Sequence, residues 1–364
     1  MRRSKYIAVA ERLSRRILNG DYHIHGIPAE RDLALDVGVS HMTARKALLK
    51  LLDDGLLYRL PNGRLDICAN GHSDRIVQTQ IALLAPAWDS GETNDWNIAL
   101  SKLSKEYDFS SRVVYYNHSD DPTIKNTIEN FDCTFLLPPD PDDLPLQQLK
   151  KTGKPLFILD SDFSDYGVPS VYLFPPVFVR KMLDHLISLN HSRIDCLNVQ
   201  PGFKIINERI EQWKNWISEK EVEGRLINEP VKSFTDPLPA AYRLIDRMIR
   251  KGDFTSKAIL CTTAPAAVGV ICALLDHGIR PGHDVAVCTS DSGGSCEYCN
   301  PSITSMETID AVPYLEVCLK WLSSKKRKWS GSLLIQPENI EVVIRQSTVP
   351  SAGRKLQQHG KEAG

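Results

Sequence analysis

The chain has no apolar run approaching the roughly 20 residues that a membrane span requires. No apolar stretch of signal-peptide type follows its basic start, Met1-Arg2-Arg3-Ser4-Lys5. The expectation is a cytoplasmic protein with no membrane partner. Cysteine supplies no framework either, because nine cysteines at irregular spacing argue against disulfide staples. Cys133, Cys196, Cys261, Cys272, Cys288 and Cys318 fall inside apolar segments and read as small hydrophobes. Cys296 and Cys299 have CxxC spacing, but no second Cys or His pair lies nearby to complete a zinc site. Ser292-Gly293-Gly294-Ser295 is not followed by Gly-Lys-Ser/Thr, so it is no phosphate loop. Neither cofactor nor metal is expected.

What is present is the composition of a globular protein, with 42% hydrophobic and 24% charged residues over 364 positions, enough for two or three domains. The net charge of −1 hides an asymmetry: residues 1–70 hold 12 Lys and Arg against 8 Asp and Glu, and the remainder holds 32 against 37. A basic head on an acidic body suits a phosphate-contacting module joined to something else.

In the head, Tyr6, Ile7, Ala10, Leu13, Ile17 and Leu18 recur near helical spacing, with arginines between them, up to a stop at Asn19-Gly20. Pro28 opens a short second helix that runs to Val37 and ends at Gly38. Ser40 is placed to cap a third helix, from His41 to about Asp54, which buries Ala44, Ala47, Leu48, Leu51 and Leu52. Two helices joined by a short glycine-containing turn form a helix-turn-helix. Asn62-Gly63 between two short alternating runs then predicts a hairpin. Three helices and a hairpin make a winged helix.

The run Pro28-Ala29-Glu30-Arg31-Asp32-Leu33-Ala34, with Gly38-Val39-Ser40, Thr43, Arg45, Ala47-Leu48, Leu51 and Gly55-Leu56, resembles the DNA-binding domain of the GntR family over about residues 4–69. By position, the resemblance implies DNA contacts from Arg31, Ser40, His41, Thr43 and Arg45, with the wing tip Asn62, Gly63 and Arg64 at the minor groove. His41 and Met42 depart from the family's more usual Arg and Thr. Independently, arginine forks read guanine or hold phosphate, and a helix N-terminus offers free N–H groups to phosphate. The bland alternative makes Arg31 and Arg45 structural salt bridges.

Residues 71–78 read as a polar linker, and from Thr79 buried-strand runs alternate with amphipathic helical stretches. Strands are expected at 80–85, 113–116, 134–137, 156–159, 194–199, 258–261 and 285–289. Helices are expected at 95–107, 122–130, 175–190, 205–219, 236–251 and 264–278. This alternation predicts parallel sheets with helices on both faces, in two α/β lobes.

The order of small motifs resembles the effector domain of the lac repressor/galactose repressor family, a periplasmic-binding-protein-like fold, over about residues 79–348. They are Lys154 to Asp160, Leu186 to Ile194 with Asn190 for the usual Gly, Glu208-Arg209-Ile210 with Trp213, Ala258 to Thr263, Gly282 to Val287 with Asp291, Pro301 to Ser305, and Val343 to Thr348. The resemblance implies lobe 1 at about 79–172 and 308–331, lobe 2 at about 173–307 and 332–348, and ligand between the lobes. Residues 349–364 read as a disordered tail. The implied pocket residues are Asp160, Arg209, Thr263 and Asp291, with Trp88, Asp89 and Trp96 offering an aromatic wall. Thr263-Ala264 stands where the family carries Asn-Asp. The bland alternatives are an Asp that caps a helix and a Trp that belongs to the core.

The expected fold class is therefore α/β: an N-terminal winged helix of three helices plus a β-hairpin, followed by a two-lobed sensor domain. The expected protein is a ligand-responsive, DNA-binding transcription regulator and not an enzyme. Its partners would be double-stranded operator DNA, a second copy in a homodimer, and a small-molecule effector of carbohydrate type. A non-sugar effector, or a sensor domain that only dimerises, is the alternative. An aminotransferase-like enzyme fused to the head is a distant third, since about 280 residues are short for it.

Overall fold

A computed structural model describes residues 4–18, 20–22, 26–68, 79–87, 91–138, 149–233, 235–292, 294–324 and 329–351. The head is α1 (Lys5–Leu18), α2 (Glu30–Val37), α3 (His41–Asp53) and the hairpin β1 (Leu57–Arg59) and β2 (Leu65–Ile67). Its core joins Val9, Ala10, Leu13 and Ile17 of α1 to Leu33, Val37, Ala47, Leu48 and Leu51. The i, i+3, i+4 spacing of these residues is the reason α1 lies across the helix pair. Gly38 ends α2 at φ +70°, a left-handed cap that glycine adopts without steric cost. α2 begins at Glu30, so Pro28 lies two residues before the helix and not in its first turn.

The body contains two parallel sheets. The first has six strands in the order β13-β7-β6-β5-β3-β4, where β3 is Thr79–Pro86, β4 Phe109–Tyr116, β5 Cys133–Leu136, β6 Leu156–Leu159, β7 Ser170–Val171 and β13 Leu334–Ile335. Alternate residues of β3 enter opposite cores: Ile81, Leu83 and Ala85 pack with Trp96, Leu100 and Leu315, whereas Ala82 and Leu84 pack with Ile124, Ile128 and Phe131. A sheet buried on both faces explains why these strands read as continuous apolar runs.

The second sheet has four strands in the order β11-β10-β8-β9, with β8 Asp195–Asn198, β9 Leu226–Asn228, β10 Ala258–Cys261 and β11 Ala286–Thr289. It too divides its side chains between two cores, Leu197, Ile259 and Val287 on one face and Cys196, Leu260 and Cys288 on the other. β12 (Ser305–Met306) and β14 (Val342–Val343) pair antiparallel beside it.

One boundary differs from expectation. Leu334–Ile335 pairs parallel with Ser170–Val171, so this stretch belongs to the first sheet, whereas 332–348 was expected wholly in the second lobe. Two-residue strands carry too little periodicity to be assigned without their partners. Cys272, expected in the core, is exposed on its helix; all nine cysteines are free. Asn190, standing where the resembling motif has Gly, takes φ +64°, a conformation that Asn tolerates better than most residues.

Head and body touch on the described surface. Gln80 Nε2 donates to the Leu18 carbonyl at 3.1 Å, and Asp21 bridges Arg16 of α1 and Arg112 of β4.

Candidate DNA interface and ligand cleft

Ser40 caps α3: its Oγ accepts from Thr43 N at 3.3 Å and lies 2.8 Å from Thr43 Oγ1. The cap ties two of the named residues to each other and orients the first turn of α3. His41, Met42 and Arg45 are exposed on that turn and the next. His41 Nε2 lies 3.3 Å from Glu30 Oε2, which ties the start of α3 to the start of α2. At the wing, Gly63 sits at φ +82° and donates its N–H to the Leu60 carbonyl at 2.8 Å. Asn62 Oδ1 accepts from Arg64 N at 3.0 Å, and Arg59 Nη1 donates to the Gly63 carbonyl at 2.9 Å. The tip is thus a stiff turn with the Arg64 side chain outward.

Arg31, Arg45 and Arg64 are exposed and make no ion pair with any described residue. The salt-bridge alternative for Arg31 and Arg45 has no support in this geometry. Lys46, beside Arg45 on α3, is likewise exposed and free of ion pairs among the described residues. Its position in the sequence carries no distinguishing signal, since lysine on a helix surface is ordinarily just solvated.

The second site lies between the sheets. A cavity of about 800 Å³ opens where β3, β6, β8, β10 and β11 end. Crevices beyond the carboxyl ends of parallel strands are the usual ligand sites of such folds, and volumes of this order hold small ligands. Asp160, Arg209, Thr263 and Asp291 all line it. Trp88 and Asp89 lie outside the described residues.

Asp160 follows β6 at φ +53° and accepts from Trp96 Nε1 at 2.6 Å. Burial pushes its carboxyl up to about 6, against the opposing pull of Trp96 and of Arg209. Trp96 itself is 2% exposed and sits in the core behind the cleft wall. It is not the expected aromatic wall but the donor that holds Asp160. Tyr172, Phe174 and Phe203 supply the aromatic lining instead. Strand and loop positions gave them no distinguishing spacing.

Arg209 and Asp291 form a pair 3.2 Å apart, 4% and 3% exposed. Arg209 Nη1 also donates to the Thr262 carbonyl at 2.7 Å, while its Nε has no partner. Asp291 Oδ1 accepts from Ala264 N and from Thr289 Oγ1, each at 2.8 Å. Asp291 thereby caps the helix Ala264–Asp276, whose own N-cap residue, Thr263, makes no side-chain cap. Asp291 is therefore a helix cap that also lines the cleft. Thr263 Oγ1 accepts from Gln200 Nε2 at 3.0 Å, which adds Gln200 to the lining.

The protein thus joins a winged helix, whose α3 carries Arg45 and Lys46 free of ion pairs among the described residues, to a two-lobed domain with a cleft. The comparisons agree domain by domain. Residues 5–66 match the model for bacterial regulatory proteins of the gntR family, and residues 183–312 match a periplasmic binding protein-like domain. The chain thus carries a GntR-type head on a periplasmic-binding-protein-like body. The head is 43% identical over 56 residues to the HTH-type transcriptional repressor NagR of Bacillus subtilis (strain 168), a match spanning 15% of this chain and 23% of NagR.

Among solved structures, the lac repressor dimer bound to operator and the anti-inducer ONPF superposes with TM-score 0.61 at 17% identity, covering 75% of this chain and 94% of that one. The transcription regulator CcpA of Lactococcus lactis gives 0.60 at 16%, covering 74% and 99%. A LacI-family regulator of Enterococcus faecium with bound ribose gives 0.63 at 17%, covering 75% and 99%. These likenesses establish the fold. Among the described residues no helix is long and apolar enough to cross a membrane, and no cluster of three or more His, Cys, Asp or Glu could hold a metal.

Proposed function

We propose that this protein binds an inverted-repeat operator as a homodimer and that a small polyhydroxylated ligand in the cleft controls that binding, with repression as the expected sign. The observation that carries the reading is the contrast in how cations are used. Arg31, Arg45 and Arg64 are left exposed and unpaired on the head, where DNA would meet them. In this reading α3 enters the major groove, Ser40, His41, Thr43 and Arg45 face base edges or phosphates, and Asn62, Gly63 and Arg64 follow the minor groove. Residues up to 70 read DNA, and residues from 79 to 348 hold ligand and the partner subunit.

Ligand between the lobes acts by binding one lobe arrangement better than the other, which shifts the population of DNA-competent dimers. The cavity of about 800 Å³ favours a binding role over a body kept only as a dimer scaffold. The test is fluorescence anisotropy of the purified protein on inverted-repeat DNA from its own promoter region, with and without sugars. Salt-dependent binding that a sugar weakens is expected. Binding that no sugar in a broad panel alters would return the alternatives, a non-sugar effector or a body that only dimerises.

A further inference from the structure

The charges around the cleft are unevenly matched. Asp95, Asp160, Asp236 and Asp291 line it, against Lys204 and Arg209. Both cations already face carboxylates: Arg209 faces Asp291 at 3.2 Å, and Lys204 lies 3.9 Å from Glu208. On the acidic side, Asp236 accepts from Leu238 N and caps the helix Pro237–Lys251. Asp160 is held by the Trp96 indole, a neutral donor. Asp95 has no hydrogen bond or ion pair with any described residue. Partial burial raises the Asp95 carboxyl although the residue as a whole is exposed, and among the described residues no cation pairs with it. The same wall contains Arg209, a side chain 4% exposed whose Nε has no partner.

We propose that the cleft selects an uncharged polyhydroxylated ligand, an unphosphorylated sugar or polyol, over phosphorylated or carboxylated counterparts of the same skeleton. The inference rests on the cleft being the ligand site. A phosphate or carboxylate offers only acceptors and would meet Asp95 and Asp160 with no free cation among the described lining residues. An ammonium, by contrast, would meet the same carboxylates as a counter-charge. A hydroxyl donates and accepts, so one ring of hydroxyls can serve Asp95, Asp160, Gln200 and Arg209 together. A desolvated charge left without its counter-charge is the costlier mismatch.

The test is isothermal titration calorimetry on the full-length protein with matched sets: D-ribose and ribose 5-phosphate; D-glucose, glucose 6-phosphate, glucuronate and glucosamine; D-xylose and xylitol. At least one uncharged member should bind. Its phosphate or acid should bind about a hundredfold more weakly, about 2.8 kcal/mol, whereas its amine should escape that penalty because the carboxylates face it. Asp95→Asn should narrow the gap to the phosphate about tenfold. A phosphate or acid binding as tightly as its neutral parent, and lost in Asp160→Asn, overturns the selectivity but leaves the cleft as the site. Binding that Asp160→Asn and Arg209→Lys both leave unchanged, or a panel with no binder, overturns the carbohydrate reading of the cleft and this inference with it.

Discussion

Head and cleft use the same residue types in opposite states. On the head, Arg31, Arg45 and Arg64 are exposed and make no ion pair with any described residue, and their neighbours (the Ser40 cap, the Asn62-Gly63 turn) fix only the backbone beneath them. In the cleft, arginine is 4% exposed and bonded to a buried aspartate, which in turn caps a helix. A free cation is available to a polyanion and costs the fold little when removed. A buried pair is part of the fold first, and reaches ligand only through the position in which the fold holds it.

The sharpest way to break this comparison is to delete the buried cation. Arg209→Ala leaves Asp291 buried and uncompensated, so the body should lose about 3–5 kcal/mol of stability. Chemical denaturation of the full chain measures this, and a loss below about 1 kcal/mol would mean that Arg209 is as free as the head arginines. Arg45→Ala is the mirror experiment. It should weaken operator binding by about 1–3 kcal/mol, read by anisotropy at fixed salt, while stability stays within about 0.5 kcal/mol. Unchanged affinity would remove Arg45 from the interface.

Asp160→Asn sharpens the difference through pH. The Asp160 carboxyl is pushed up to about 6 in the folded protein, from an ordinary value of 3.8. A raised value means that the folded state holds the proton more tightly, so this group's contribution to stability is full below about pH 4 and is lost as pH rises through 6. Asparagine keeps an acceptor for Trp96 without the ionisation. The melting temperature of Asp160→Asn should therefore exceed that of the parent at pH 7.5 and match it near pH 4, before any ligand is added. An equal shift at both pH values would assign the effect to packing. The smallest expected change is in the head, where Ser40→Ala removes a cap worth about 1 kcal/mol. Stability and DNA affinity should fall together, because the cap orients the turn that carries His41 and Arg45.

Legibility from sequence followed the range of the interactions. The head could be read almost to the residue, since caps, turns and amphipathic spacing act over a few positions. α3 begins after Ser40 because that side chain satisfies the Thr43 amide, and the wing turns at Gly63 because that residue takes φ +82°. Strands such as Leu156–Leu159 and Ala258–Cys261 appear where expected because both of their faces are buried and the run is apolar throughout. β4 begins at Phe109, four residues before the expected start at Val113, because Ser110-Ser111-Arg112 is polar yet pairs fully along β3.

The sequence by itself determined the modules and their order, because local propensity, capping and hydrophobic period are properties of neighbouring residues. It also marked Asp160, Thr263 and Asp291 at strand ends and Arg209 on a helix, residues that together line the cleft. Only the tertiary structure decided what those residues do to one another. Trp96 turned inward to hold Asp160, Asp291 took the helix cap that Thr263 leaves unused, and Leu334–Ile335 joined the first sheet from more than 160 positions beyond its partner strand. Each of these depends on groups brought together across the fold, and a pairing between distant residues leaves no periodic mark in either segment alone.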